Sequence, residues 1–379
     1  MKHKYIMKIP SRINILGNPT DGNEGDFATI SAAINIYAGG TIENADEFIF
    51  QWIDRKAPKK PVAECRLSHL NNLDYDPDDP FKLFKGTIRY FLKEFPDIRK
   101  NISKNPVKIS IWTDVPRQSG LGGSSLPILM ILEGLKNIYN LDHKFFNRYL
   151  ISEITQRIEE RELGITCGFA DRYVPNFGGI AYLDYRGKLY HAQIGAEPYV
   201  TYERLDPFVP ELGFIIVSTG VRHDSGDVHG VMRGKYLRDI ERVEKQGAEP
   251  SLILKKFRLI GDTAWQGKIA LLRADLVEFG RLMNENHRLI DEIMIECGFS
   301  EGAGEANNLF IKTALDAGAL GAKLTGAGGG GSVQIFADKS DESRVIQALD
   351  NKITDAGFSE AKIIKVLIDK SGLMVKSVK

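Results

Sequence analysis

The sequence predicts a mixed α and β protein in two parts. Three observations carry this. Short segments with strand-like apolar alternation are interleaved with long segments of helical periodicity. A glycine- and serine-rich stretch, Asp114 to Ser125, runs straight into an apolar helix pattern. The 379 residues amount to about two domains at roughly 150 residues each.

In chain order, "MKHKYIMKIPSRINIL" carries lysines but no long apolar region, so no signal peptide is expected. "DRKAPKKPVAE" and "DYDPDDPF" are polar and proline-rich and read as loops of the first domain. "KISIWTDV" reads as a strand, with Ile109 and Ile111 on one face. Residues Phe146 to Leu163 place Tyr149, Leu150, Ile154 and Ile158 at helical spacing. "IAYLDY" and "GFIIVST" read as strands. "GAEPYVTYERLDPFVPELG" between them, with Pro198, Pro207 and Pro210, reads as the link between domains. "DTAWQGKIALLRADLVEFGRLMNENHRLI" and "EANNLFIKTALDAGAL" read as two long helices, the second stopping at Gly318 or Gly321. "KVLIDKSGLMV" reads as a last strand with a turn.

Composition excludes several classes. Lys plus Arg equals Asp plus Glu, 50 each, which argues against a chain built to coat nucleic acid or an acidic membrane. No run approaches the ~20 apolar residues of a membrane span. Cys65, Cys167 and Cys297 are far apart, which suits reduced thiols and a cytoplasmic protein.

The stretch "DVPRQSGLGGSSLPILMILEGL" has the make-up of a phosphate-binding device. Glycines let backbone approach an anion, and the free N–H groups of a helix start point at it. Ser124 is a suitable N-cap, and Pro127 falls in the first turn, where its missing N–H costs little. The G-x-x-x-x-G-K-[ST] pattern is absent. One G-x-G-x-x-G occurs at Gly326, Gly328 and Gly331, but a strand-like "SVQIFA" follows it, where a dinucleotide site needs a helix.

Three segments, "PSRINILGNPTDG", "DVPRQSGLGGSS" and "KLTGAGGGG", resemble in order and separation the three motifs of the GHMP kinases (galactokinase, homoserine, mevalonate and phosphomevalonate kinases). The resemblance covers most of the chain. "LGNPTDG", "ERELGITCGFADRYVPNFGGIAYLDY" and "HDSGDVHGVMR" are most similar to the sugar 1-kinase branch of the glucuronokinase type. Galactokinases usually carry Glu-His where this chain has Asn18-Pro19, a departure that favours glucuronate or another sugar over galactose.

The resemblance implies a two-lobed α+β fold: a ribosomal protein S5 domain 2-like N-terminal lobe over residues 1–200, binding ATP, and a ferredoxin-like C-terminal lobe over 201–379, closing the substrate cleft. It implies ATP and Mg²⁺ as cofactors and phosphorylation of a sugar's anomeric hydroxyl, glucuronate first. The alternatives are a heptose-phosphate, arabinose or galactose kinase, a mevalonate-type kinase, or a non-catalytic ATP and sugar sensor. Asp171 matches the catalytic base and Arg12 a cation near the transferred phosphate. Pro116, Ser119, Gly120, Leu121, Gly122, Gly123, Ser124 and Ser125 would bind ATP. Ser124 and Glu159 would hold the metal, with Ser125 and Glu162 as rivals. Gly326, Gly328, Gly329 and Gly330 would support the phosphate loop.

Asp21 matches an aspartate that binds sugar hydroxyls, beside Asn18. A glucuronate carboxylate would need a cation, for which Arg172, Arg222 and Arg233 are candidates. His223 and His229 have no zinc spacing and read as substrate-loop or surface residues. Asn284, Asn286 and His287 read as a capping network at a helix end. The expected partners are ATP and a small sugar or sugar acid, with no nucleic acid or membrane, in a monomer or homodimer.

Overall fold

A computed structural model describes residues 3–23, 27–71, 73–188, 198–221, 225–326 and 328–378. Its strands, in chain order, are β1 (Lys4–Leu16), β2 (Ala28–Asn44), β3 (Phe48–Asp54), β4 (Ala57–Leu67), β5 (Val107–Thr113), β6 (Ile180–Asp184), β7 (Thr201–Arg204), β8 (Gly213–Ser218), β9 (Gly321–Leu324), β10 (Ser332–Phe336), β11 (Lys362–Leu367) and β12 (Met374–Val378). Its helices are α1 (Lys82–Glu94), α2 (Pro96–Lys104), α3 (Ser125–Ile138), α4 (Arg148–Arg157), α5 (Ala170–Phe177), α6 (Ser225–Gln246), α7 (Leu252–Leu272), α8 (Leu276–Glu296), α9 (Glu305–Asp316) and α10 (Glu342–Asp355).

Two sheets divide the strands. The larger runs β12-β1-β2-β5-β3-β4, with β6 and β7 continuing from β2; the smaller runs β11-β8-β10-β9. All pairs are antiparallel except β3–β5. This is a two-lobed α+β architecture. The expected boundary at 200/201 does not coincide with the division between sheets, because β7 pairs with β6 and β12 pairs with β1. The chain therefore crosses between the sheets twice.

Helix α3 is buried from Ser125 through Lys136 and packs against β1 and β2. Its sequence, SLPILMILEGL, is apolar on most sides, with Ser125 and Glu133 the polar exceptions, as suits a helix enclosed by core. Helices α7 and α8 pack together; α7 lies against β2 and α8 against β9, so this pair spans both sheets. Sheet β8–β11 has its own core with α9 and α10, built on Val333, Ile335, Phe310 and Leu349.

Local expectations need four corrections. "DRKAPKKPVAE" is largely strand β4, not loop; as the edge strand it tolerates Pro61, which has no N–H to donate. The long helix expected through "DTAWQ…HRLI" is two. Ala274 turns left-handed at φ 55°, and Asp275 caps α8, accepting from Glu278 N at 3.0 Å. Asn284, Asn286 and His287 therefore sit within α8, not at its end. "KVLIDKSGLMV" supplies two strands in different sheets. Among the described residues no helix is long and apolar enough to cross a membrane.

Candidate active site

The site forms where the end of β1, the loop before α3 and the start of α5 converge. A register shift between Pro10 and Ser11 breaks the β1–β2 ladder just before two buried polar residues. Ser11 Oγ donates to Leu121 O at 2.6 Å, and Arg12 Nη1 donates to Gly120 O. Strand β1 is thereby tied to the glycine loop by two side chains.

The loop itself is compact. Ser119 Oγ donates to Pro116 O at 2.8 Å, and Gly123 lies against Val115. Gly120 has φ +69°, and a side chain there would meet the Gly326 backbone at 3.1 Å. The two glycine-rich loops thus touch backbone to backbone, which accounts for glycine at both positions.

Ser124 occupies the N-cap position of α3, but its side chain does not cap the helix. Its Oγ donates to Glu159 Oε1 at 2.6 Å, and Ser125 Oγ donates to Glu159 Oε2 at 2.8 Å. Glu159 is 0% exposed, in the π-helical turn Ile158–Glu162 after α4. Of the rival acids, Glu162 turns to Arg89 and Tyr75, and Glu160 to Arg233 at 2.5 Å.

Across from the loop, Arg12 grips Asp171 with two contacts, Nε to Oδ1 at 2.6 Å and Nη2 to Oδ2 at 2.5 Å. Burial alone would raise the Asp171 pKa, but the guanidiniums of Arg12 and Arg172 outweigh it and hold it at about 2. Asp21 lies in the short 3₁₀ turn Thr20–Gly22 and accepts from Ala170 N at 3.1 Å. Its carboxylate packs on Gly168, where a Cβ would come within 2.1 Å of Oδ2. Burial, with the Asp171 charge added, raises its pKa to about 6. The two aspartates are thus pushed apart in acidity by their surroundings.

The three candidate arginines separate. Arg172 is buried, donating from Nε to Glu159 Oε2 at 2.6 Å and from Nη1 to Gly168 O. It belongs to the Glu159 network and does not present itself to a substrate carboxylate. Arg233 lines a recess with Asn23, Thr166, Cys167 and His229 beside the Asp21 turn. Arg222 and His223 lie outside the described residues.

Sequence reasoning missed a buried polar group behind the Asp21 turn. Lys323 of β9 donates to Asn18 Oδ1 and Leu324 O, each at 2.8 Å. Asn286 of α8 accepts from Gly17 N at 2.8 Å and donates to Asn18 O at 3.2 Å; it bridges elements and does not cap a helix. Gln334 donates to Asn14 O. The available signal was Lys323 itself, a lysine in the four-residue apolar strand "GAKL", which demands oxygen partners.

A glycine loop feeding a buried helix start, a paired hydroxyl and carboxylate beside it, and an Arg-bound aspartate opposite define a small-molecule phosphotransferase. Known proteins agree. The N-terminal domain of GHMP kinases matches residues 82–179 and their C-terminal domain residues 268–355. The chain belongs to the GHMP kinase family. It is 26% identical to glucuronokinase 1 of Arabidopsis thaliana, over 92% of this chain and 89% of that one. Identity is also 26% to the D-glycero-alpha-D-manno-heptose 7-phosphate kinase of Campylobacter jejuni, over 90% and 91%. The structure of Lactococcus lactis galactokinase complexed with galactose superposes with a TM-score of 0.77 at 19% identity, over 98% of this chain and 95% of that one.

Proposed function

We propose that this chain transfers the γ-phosphate of ATP to the anomeric hydroxyl of a sugar, with glucuronate the first substrate to try. The observation that carries the reading is the Arg12–Asp171 pair set against the Gly120–Ser125 loop, since Arg12 contacts both sides. In this reading the loop N–H groups and the start of α3 cradle the phosphates, residues 1–200 carry the nucleotide, and residues from 201 onward close the cleft. Asp21 and Asn18 bind the sugar.

The chemistry is one displacement. The hydroxyl oxygen forms a bond to the γ-phosphorus, the bond to the ADP oxygen breaks, and the hydroxyl proton passes to Asp171. A carboxylate with a pKa of about 2 is a weak base. It orients the hydroxyl and takes the proton late, once the forming P–O bond has made that proton acidic. Arg12 then steadies charge on the transferring group.

Ser124 and Glu159 supply hard oxygen donors 2.6 Å apart at the loop, a set that fits Mg²⁺, which often takes only one or two carboxylates and fills its shell with phosphate oxygens and water. When bound there, Mg²⁺ would neutralise phosphate charge. The matched relatives give the test panel: ADP release is measured with glucuronate, galactose, a heptose 7-phosphate, arabinose and mevalonate. Turnover of mevalonate alone would defeat the sugar reading. Binding of ATP and sugar without ADP release would make the chain a sensor.

A further inference from the structure

The turn that carries Asn18 and Asp21 is held from behind by the second sheet. Lys323 is 0% exposed, and its Nζ has three oxygen neighbours: Asn18 Oδ1 and Leu324 O, each at 2.8 Å, and Asn14 O at 3.2 Å. Three N–H bonds of an ammonium meet three oxygens. Because an ammonium only donates, the Asn18 amide is fixed with its oxygen toward Lys323 and its NH₂ turned away. Asn286 pins the same residue through its backbone, so the amide cannot follow a shift of the turn.

The surroundings of Lys323 point the same way. Among the described residues no carboxylate lies within ion-pair distance of Lys323, whereas Arg12 is matched by Asp171 and Arg172 by Glu159. Burial and the Arg12 charge push the Lys323 pKa well below its ordinary value despite the opposing pull of Asp21, while the three oxygens around Nζ fix its position. Asn23, two residues past Asp21, is 4% exposed and lines the recess, and its Nδ2 has no hydrogen-bond partner among the described residues. The segment therefore offers amide N–H donors.

We propose that Lys323 is a positioning residue that sets substrate specificity: by holding Asn18 Oδ1 it makes the turn present N–H donors, which select a sugar bearing an anionic oxygen group remote from the reacting hydroxyl. A carboxylate or phosphate only accepts hydrogen bonds, whereas a hydroxymethyl group must also place its own proton. The inference rests on the sugar-kinase reading and narrows it to acidic sugars.

The test compares kcat/KM for glucuronate, glucose and glucose 6-phosphate in the wild type, Asn18→Asp and Lys323→Met, with folding of each variant checked by thermal melting. Asn18→Asp replaces the NH₂ with an oxygen at nearly constant volume. The wild type is expected to prefer an acidic member, glucuronate if the group is a carboxylate and glucose 6-phosphate if it is a phosphate. In either variant that folds, the acidic-to-neutral ratio is expected to fall at least roughly tenfold, the scale of one lost hydrogen bond to a charged group. A merely structural role would lower every sugar by the same factor, and an unchanged ratio in a folded Asn18→Asp overturns the inference. A wild type that prefers glucose overturns it while leaving the kinase reading intact; no turnover of any sugar removes both.

Discussion

Arg12 and Asp171, 159 positions apart, are joined by two contacts of 2.6 and 2.5 Å, and the same guanidinium reaches Gly120 O. One side chain therefore sets the distance between the aspartate and the phosphate loop.

Replacing Asp171 with Asn keeps the shape and removes the proton acceptor. The expected loss in kcat is roughly 10²–10⁴-fold, with KM for ATP little changed. Steady-state kinetics at pH 7.5 check this; turnover at the parent rate would rule Asp171 out as the base.

The same pair ties stability to pH. The folded pKa of Asp171, about 2, lies below its ordinary value of 3.8, so its contribution is fully present above 3.8 and is lost as pH falls through about 2. It amounts to about 2 kcal/mol at neutral pH. Urea midpoints between pH 5 and pH 2 should fall less steeply in Asp171→Asn than in the parent.

Asp21 behaves in the opposite sense. Its pKa is raised to about 6, so folding favours the protonated form, and that stability is lost as pH rises through 6. Asp21→Asn should stabilise the fold at pH 8, by up to about 3 kcal/mol. The parent's kcat/KM for the sugar is expected to fall through an acid limb near pH 6, and Asp21→Asn to lose sugar turnover at every pH. A higher melting temperature together with lost sugar turnover is the signature.

Glu159→Gln leaves Arg172, 1% exposed, with only the more distant Asp171 carboxylate, at 3.8 Å, as a counter-charge. The expected destabilisation is about 3–5 kcal/mol. Ser124→Ala removes only one hydroxyl and should fold normally while raising the Mg²⁺ concentration needed for half-maximal activity. A titration with MgCl₂ after EDTA treatment reads the second effect.

Gly120→Ala forces a left-handed residue to carry a Cβ against Gly326, at a cost of roughly 1–2 kcal/mol from conformation alone. KM for ATP should rise more than KM for the sugar, since the displaced backbone is the phosphate cradle.

Much of this site is legible in the sequence because it is written locally. "SGLGGSS" announces a loop that must approach an anion, and Asp171 and Arg12 sit in motifs of recognisable spacing. What escapes is non-local or depends on one residue's backbone. Nothing near Lys323 reveals that its oxygen partners are Asn14 and Asn18, some 300 residues earlier. The break between α7 and α8 was readable as Asp275 with Glu278 three residues on, a helix-start pattern masked by the continuous apolar periodicity. Arg172 looked like a ligand by type; only its 0%-exposed neighbour Glu159 shows that its charge is already spent.

The double crossing between sheets bears on how the cleft can open. One crossing follows β7, and the other is stitched to β2, where Asp369 N donates to Ala33 O and Asp369 Oδ2 accepts from Tyr37. Two separate covalent connections thus join the halves, beside the α7–α8 pair that packs on both sheets. A protease nick in either tether would leave the pieces held together by β1 and its terminal partner β12, and a nick after β7 would make the contacts of Lys323 and Asn286 with Asn18 bridges between two chains, so clipped protein should stay associated while loosening the grip on the Asn18 turn.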